Sequence, residues 1–280
     1  MGVLRGVFRR TSAGMLSAGV AKATLRQLTD DNFSGHEQLQ RENHRGEPIT
    51  LAQGPAVVLG MLAGVAVTPG LPRRVRGAAL LAAATSGAVG AYDDLYGATS
   101  AKGLAGHLRS LRQGEVTSGA VKVAAIGASG LVAGAWCRGG RGGVVDATLA
   151  GVVVAGTANL LNLFDLRPGR ASKVFLAAGC PAVLVPGCAG DLLSAPVGAA
   201  AALLGDDLAE RTMLGDTGAN ALGAVLGTAA ASSLGRRGLL GATVGVVGLT
   251  LLSERFSFSQ IIESNRALAA VDRLGRRPAA

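Results

Sequence analysis

Residues 143–165 have the sequence GVVDATLAGVVVAGTANLLNLFD. The stretch is almost wholly apolar for about six helical turns, and it ends in two amides and a carboxylate, Asn159, Asn162 and Asp165. An apolar run of this length is typical of a helix that crosses a bilayer. The stretch therefore predicts a membrane helix whose polar end reaches the headgroup region.

Apolar runs of similar kind recur along the chain, which is 49% hydrophobic and 16% charged with a mean hydropathy of +0.40. This composition argues against a soluble enzyme. Eight stretches stand out: 51–71, 77–92, 119–136, 143–164, 174–190, 192–205, 217–234 and 238–253. We predict an all-α protein, a polytopic transmembrane helix bundle of about 8 to 10 membrane helices.

The same pattern predicts one integral membrane domain over residues 1–280. An amino-terminal segment and first cytoplasmic loop would occupy 1–50, the helix bundle 51–253 and a cytoplasmic tail 254–280. Residues 11–28 are interrupted by Lys22 and Arg26 and predict either a first membrane helix or an amphipathic surface helix.

Charge gives the expected orientation. The chain carries 27 Lys and Arg against 18 Asp and Glu, a net charge of +9. The basic residues lie mainly in the gaps between apolar stretches, which predicts contact with membrane lipids and no nucleic acid partner. Threading the eight stretches alternately puts 14 Lys and Arg in the gaps of one side and 7 in those of the other. The first side is then cytoplasmic, and the chain is expected to be a multi-pass protein of the inner (plasma) membrane.

Adjacent acids on the expected cytoplasmic side form the first candidate motif. Asp93 and Asp94 lie in GAYDDLYG, residues 90–97, where an apolar stretch ends. Two carboxylates at this depth are costly unless they are hydrated, paired or bound to a cation. A magnesium-phosphate site would offset the cost.

Asn159, Asn162 and Asp165 form the second motif, at positions i, i+3 and i+6. On a helix such positions lie broadly along one face. They predict a polar site in the bundle mouth. The alternative is that the amides bond neighbouring helices and Asp165 caps the helix end.

Asp216 carries the third motif, in MLGDTGAN, residues 213–220. Flanking glycines permit close approach of a phosphate or metal, and a helix N-terminus favours anions. The alternative reading makes Asp216 an ordinary N-cap.

Two basic segments complete the candidates. His44 lies in RENHRGEPITLAQG, residues 41–54, and its simplest interpretation is a solvated loop residue. Lys102 and Arg109 lie in KGLAGHLRSLRQG, residues 102–114. They predict an interfacial helix on anionic lipid, a phosphate cradle, or both.

In this order, the motifs resemble the polyprenyl-phosphate N-acetylhexosamine-1-phosphate transferase superfamily, glycosyl transferase family 4. That superfamily includes the phospho-N-acetylmuramoyl-pentapeptide transferases and the enzymes that begin O-antigen and teichoic-acid linkage. The resemblance runs from about Asn43 to Pro278.

The resemblance implies transfer of a sugar-1-phosphate from a UDP-sugar to a polyprenyl phosphate, with release of UMP and with Mg²⁺ as cofactor. Asp93, Asp94 and Asp165 would be catalytic, and Asp216 and Asp93 would hold the metal. Five further residues would bind the substrates: Asn159, Asn162, Lys102, Arg109 and His44. The expected partners are the polyprenyl phosphate lipid, the UDP-sugar and membrane lipids. A monomer and a homodimer both stay open.

The sequence also departs from the family pattern. Where the family commonly has D-G-x-D-G, this chain has Asp165-Leu-Arg-Pro168-Gly169, so the second Asp is missing. The His-rich loop of the cell-wall enzymes is absent as well. These departures leave a second hypothesis open, a non-catalytic homologue that acts as a scaffold or transporter for lipid-linked precursors. An ion-coupled solute transporter would instead place its acids near the bilayer midplane.

Overall fold

The computed structural model describes residues 2–43, 45–97, 110, 113–114 and 117–278. Helices dominate this part of the chain. In order they are α1 (Gly2–Leu28), α2 (Gln53–Val67), α3 (Arg73–Tyr96), α4 (Ser118–Arg138), α5 (Gly143–Phe164), α6 (Arg170–Leu184), α7 (Cys188–Leu208), α8 (Gly215–Ser233), α9 (Arg236–Ser253), α10 (Phe258–Ser264) and α11 (Arg266–Arg273). A short antiparallel hairpin, β1 (Gln40–Glu42) and β2 (Pro48–Thr50), lies between α1 and α2.

The predicted all-α class is confirmed, and the eight apolar stretches correspond in order to α2 to α9, with the stretch 174–190 also reaching the start of α7. Breaks between the helices occur at glycine, proline and charged residues, which interrupt the apolar periodicity. Between α4 and α5, for example, Gly139 ends α4 and Gly142 precedes α5, both in the left-handed region that favours glycine.

The predicted number of membrane helices is wrong. Among the described helices, three are long and apolar enough to cross a membrane: α4, α5 and α7. A fourth span results if α9 and α10, which meet at a 90° bend, count as one. Helices α2 and α6 have 15 residues each, about 22 Å of rise against a hydrocarbon core of about 30 Å. Helix α8 has 19 residues but is not apolar enough to count as a span, and 14 of those residues are buried by protein, so it presents little surface to lipid.

Small residues bring the central helices together. The backbone of Gly134 on α4 packs on Gly151 of α5, while Gly223 and Gly227 of α8 pack on the opposite flank of α5. A Cβ atom at any of these glycines would collide with the neighbouring helix. The small-xxx-small spacings at 60/64, 130/134 and 223/227 therefore all lie at helix interfaces.

Helix α1 runs beside α7 in the same direction. Near its start, the Arg10 Nε donates to Asp191 Oδ1 at 2.7 Å, and Gly14 packs on the backbone of Ser194 and Gly198. Further along, Ser17 and Ala21 contact Gly60 of α2. These contacts extend along much of the helix, so α1 belongs to the bundle rather than lying across its surface.

The carboxyl-terminal segment packs on the end of the bundle at which α5 ends. Arg170, at the start of α6, donates to both carboxylate oxygens of Asp272, at 2.8 and 2.9 Å. Arg276 donates to the Pro168 carbonyl at 2.8 Å, and Arg277 forms an ion pair with Glu47. Residues 266–278 are therefore tied both to the α5–α6 connection and to the hairpin loop.

Candidate functional site

Asp94 connects α3 to the start of α8. Its carboxylate accepts hydrogen bonds from the backbone N–H groups of Asp216 and Thr217, at 3.0 and 2.9 Å, and from the Thr217 hydroxyl at 2.6 Å. The first backbone donors of a helix need such acceptors. Gly90 permits the approach, because a Cβ atom there would collide with the Asp216 carbonyl. Asp94 thus caps α8 from a different helix, and Asp216 is not the N-cap.

The Asp216 side chain is directed to a lysine instead. Lys122 on α4 donates from Nζ to Asp93 Oδ2 at 2.6 Å and also to Asp216 Oδ2. Both carboxylates and the ammonium group are less than a third exposed. One cation therefore compensates two partly buried acids that come from α3 and α8, and the three helices meet at this point.

These acids are suited to a hard cation. Mg²⁺ is usually held by one or two carboxylates together with substrate phosphates and water. Asp93 and Asp216 already converge on one positive charge. Within the described ranges no group of three or more His, Cys, Asp or Glu side chains is arranged as a complete metal site. A metal ion at this pair would therefore need further ligands from outside the described carboxylates.

Asp165 lies close to the same charges at the end of α5. Burial raises the pKa of its carboxyl group well above the usual range, and the negative charges of Asp207, Asp216 and Asp94 raise it further. The backbone amide of Gly215 opposes these effects. Burial and the neighbouring negative charges thus both favour the protonated form of Asp165.

Asp207 anchors the segment that follows Asp165. Its carboxylate accepts from the Gly169 backbone N–H and the Ser172 hydroxyl, both at 2.8 Å, and from the Gln53 side chain at 3.1 Å. Since Gly169 is only four residues from Asp165, this buried network fixes the direction in which the chain leaves α5.

A cavity of about 630 Å³ opens beside Lys122, between α4, α5 and α9. Its polar lining contains Asn159 and Asn162 from the predicted second motif, together with Lys122, Asn220, Thr250, Ser253 and Glu254. The rest of its wall is mainly apolar and includes Ile126, Leu131, Val246, Val247 and Leu251. The cavity is thus mostly apolar, with amides, hydroxyls and two opposite charges, Lys122 and Glu254, in its lining.

The hairpin loop reaches the same cluster. The Arg41 guanidinium donates to the Asp94 carbonyl oxygen at 2.5 Å. The Met213 N–H donates to the Thr50 carbonyl at 2.9 Å, which joins β2 to the segment that precedes Asp216. The sequence candidates His44, Lys102 and Arg109 lie outside the described residues.

The structure therefore brings Asp93, Asp94 and Asp216 together, sets Asp165 near them, and lines the adjacent cavity with Asn159 and Asn162. Sequence reasoning missed Lys122 and Asp207. Lys122 could have been found, because a single lysine inside an apolar helix is a functional-site signal by default. Asp207 had no such signal, since its role depends on partners from α2 and α6.

Comparison with known protein families finds no family model that matches this chain, and comparison with curated proteins finds no matching sequence.

Proposed function

We propose that this chain transfers a sugar-1-phosphate from a UDP-sugar to a polyprenyl phosphate at the cytoplasmic face of the membrane and releases UMP, in cell-envelope glycan synthesis. One observation carries the proposal. A largely apolar cavity is lined by Lys122, which contacts Asp93 and Asp216. The arrangement suits a substrate that joins a long apolar chain to a phosphate.

The cavity fits the lipid substrate in position as well as in chemistry. Two of its walls are α4 and α5, both long and apolar enough to cross a membrane. An isoprenoid chain lying between them would remain at bilayer depth, and its phosphate would reach Lys122. With Mg²⁺ on Asp93 and Asp216, the Lys122 ammonium would be released to pair with the lipid phosphate, and the Asn159 and Asn162 amides would provide hydrogen-bond donors for the nucleotide sugar.

The proposed step is a displacement at phosphorus. An oxygen of the polyprenyl phosphate forms a bond to the sugar-linked phosphorus of the UDP-sugar, and the bond from that phosphorus to the UMP phosphate breaks. UMP leaves with the electron pair. Because the nucleophile is already an anionic oxygen, the site has mainly to align two polyanions and offset their charge.

The residues of the cluster divide this work. Asp93 and Asp216 would hold Mg²⁺, which when bound supplies neutralisation of the diphosphate charge. Lys122 would attract the lipid phosphate. Asp94 acts through α8, because its hydrogen bonds set the position of Asp216. Asp165, with Asn159 and Asn162, would contact the nucleotide side.

For topology, we propose a multi-pass inner (plasma) membrane protein with the Asp93–Asp216 end of the helix bundle cytoplasmic. The support is the excess of Lys and Arg at that end. Arg237 and Arg255 are exposed at opposite ends of α9 and offer a test in a cysteine-free background. In intact cells, a membrane-impermeant thiol reagent should label Arg237→Cys and not Arg255→Cys. Equal labelling of both would contradict the orientation.

The activity test uses purified protein in nanodiscs with undecaprenyl phosphate, Mg²⁺ and a panel of UDP-sugars. Wild type should release UMP, and Asp216→Asn or Asp93→Asn should lower the rate by roughly a hundredfold or more. Asp31→Asn is the matched control, since it makes the same chemical change on a fully exposed side chain. If wild type releases no UMP from any donor, the scaffold or transporter hypothesis replaces this one.

A further inference from the structure

A second cavity, of about 550 Å³, lies at the carboxyl end of α1. The hairpin and the segment that follows α7 complete it. Its charged or titratable lining consists of Lys22, Arg26, His36, Asp206 and Arg211. None of the residues assigned above to the transfer reaction lines this cavity.

The cavity carries uncompensated positive charge. Asp206 is already paired, because the Arg211 guanidinium donates to its Oδ1 from Nε at 3.0 Å and from Nη2 at 2.5 Å. Within the part of the chain that the structure describes, the side chains of Lys22 and Arg26 have no hydrogen-bond or ion-pair partner. They are four residues apart on α1, so they lie on one helix face and act together.

His36 adds an unused hydrogen-bonding group. Its Nε2 is 2.9 Å from the Gln40 side-chain nitrogen. With that N–H group donating to Nε2, the ring proton resides on Nδ1. The Nδ1 atom is buried and has no hydrogen-bond partner among the described residues. Because Nδ1 has almost no accessible surface, a ligand in the cavity would reach it only if the ring turned, so Lys22 and Arg26 are the groups that attract a phosphate oxygen.

The position of the cavity is that of a lipid headgroup. Asp206 lies near the end of α7, a helix long and apolar enough to cross a membrane, and α1 runs parallel to α7. On α1 itself, Phe8, Met15 and Leu16 are exposed, as expected for a helix at the bundle edge that contacts lipid. Leu25 and Ile49 give the cavity an apolar wall beside its charges.

We propose that this cavity binds the phosphate-containing headgroup of an anionic phospholipid, as a site separate from the transfer site. Lys22 and Arg26 supply the charge, and the apolar wall contacts the glycerol and upper acyl region. A soluble phosphoryl compound would satisfy the same polar groups, so the source of the phosphate has to be separated by experiment. The proposal does not depend on the transferase activity.

The test measures binding to the full-length protein in a zwitterionic detergent, by native mass spectrometry and thermal shift. The probes are short-chain phosphatidylglycerol, short-chain phosphatidylcholine and inorganic phosphate. Wild type should bind phosphatidylglycerol in preference to phosphatidylcholine. Lys22→Gln combined with Arg26→Gln should bind it about thirtyfold more weakly. Arg255→Gln combined with Arg266→Gln is the matched control, with the same charge change at exposed sites outside the cavity.

Saturable binding of inorganic phosphate that matches phosphatidylglycerol, and is lost in the same double variant, would support the site and assign it to a soluble phosphoryl group. The proposal is overturned if wild type binds neither phosphatidylglycerol nor inorganic phosphate. It is also overturned if the cavity variant and the control variant lose phosphatidylglycerol binding equally. The side chains altered in the two double variants are all exposed. A melting temperature equal to that of wild type, measured without added lipid or phosphate, would show that each variant folds.

Discussion

Replacing Lys122 with methionine tests the charge arrangement of the cluster directly. The substitution keeps a long unbranched side chain in α4 but removes the ammonium group that contacts both Asp93 and Asp216. The two carboxylates would then face each other without a compensating cation. We expect Lys122→Met to be less stable than wild type without divalent metal, and to regain stability when Mg²⁺ is added.

The size of the effect follows from burial. The side chains of Lys122, Asp93 and Asp216 are 17%, 18% and 27% exposed, so the pair counts as largely buried. Removing one partner of a buried ion pair costs about 3–5 kcal/mol, and we take about 3 kcal/mol because some exposure remains. In a chain of this size that is a fall in melting temperature of about 6 °C or more. Mg²⁺ at a hundred times its dissociation constant would return about 2.7 kcal/mol.

The assay is thermal unfolding of purified protein in nanodiscs, with EDTA and across a Mg²⁺ titration. Wild type should respond less to Mg²⁺ than Lys122→Met, because its ammonium group competes for the same carboxylates. Arg237→Met is the control, since it removes an exposed basic side chain at the start of α9, outside both cavities, and it should behave as wild type. If Lys122→Met has the same melting temperature as wild type and that temperature does not change with Mg²⁺, the two acids do not form a cation site.

Three other substitutions give distinct expected outcomes. Asp94→Ala removes the acceptor at the α8 N-terminus and should cost about 1–2 kcal/mol in thermal unfolding; an unchanged melting temperature would refute the capping role. Asp165 has a raised folded pKa, so its stability penalty develops as pH rises from the ordinary value of 3.8 towards that folded pKa. Asp165→Asn should therefore melt higher than wild type at neutral pH, with the difference vanishing near pH 3.8, and a neutral-pH melting temperature below wild type would contradict this. Asp272→Ala leaves the buried Arg170 without its ion-pair partner, at a cost of about 3–5 kcal/mol. Trypsin should then cleave residues 266–278 faster than in wild type. Glu263→Ala breaks only an exposed ion pair with Arg167 and should leave the cleavage rate unchanged.

Much of the architecture could be predicted from the sequence because apolar stretches and glycine-rich breaks are local signals. The eight stretches correspond to eight helices, but the sequence could not show that Asp94, 122 residues away, caps α8 and that Asp216 does not. The number of membrane spans could not be obtained in this way. Whether α8 faces lipid or protein depends on its neighbours in the bundle, and the hydropathy of a segment does not identify those neighbours.

The candidate site shows the same division. Asp93, Asp94, Asn159, Asn162, Asp165 and Asp216 were all found by spacing and by unusual polarity at helix ends. Lys122 was overlooked in favour of Lys102 and Arg109, because basic residues between helices give a stronger pattern than one lysine within an apolar run. Asp207 acts through Gly169, Ser172 and Gln53, and such a network exists only after α2, α6 and α7 have packed.

The most direct test follows the fate of one phosphorus atom. Purified protein would receive undecaprenyl phosphate, Mg²⁺ and a UDP-sugar that is radiolabelled in its β phosphate, with products separated into lipid and aqueous phases. Transfer of a sugar-1-phosphate predicts that the label moves to the lipid phase in a one-to-one ratio with released UMP, and that Asp216→Asn loses both signals together. Label that stays in the aqueous phase as UDP, while the sugar itself enters the lipid phase, would contradict the proposed reaction.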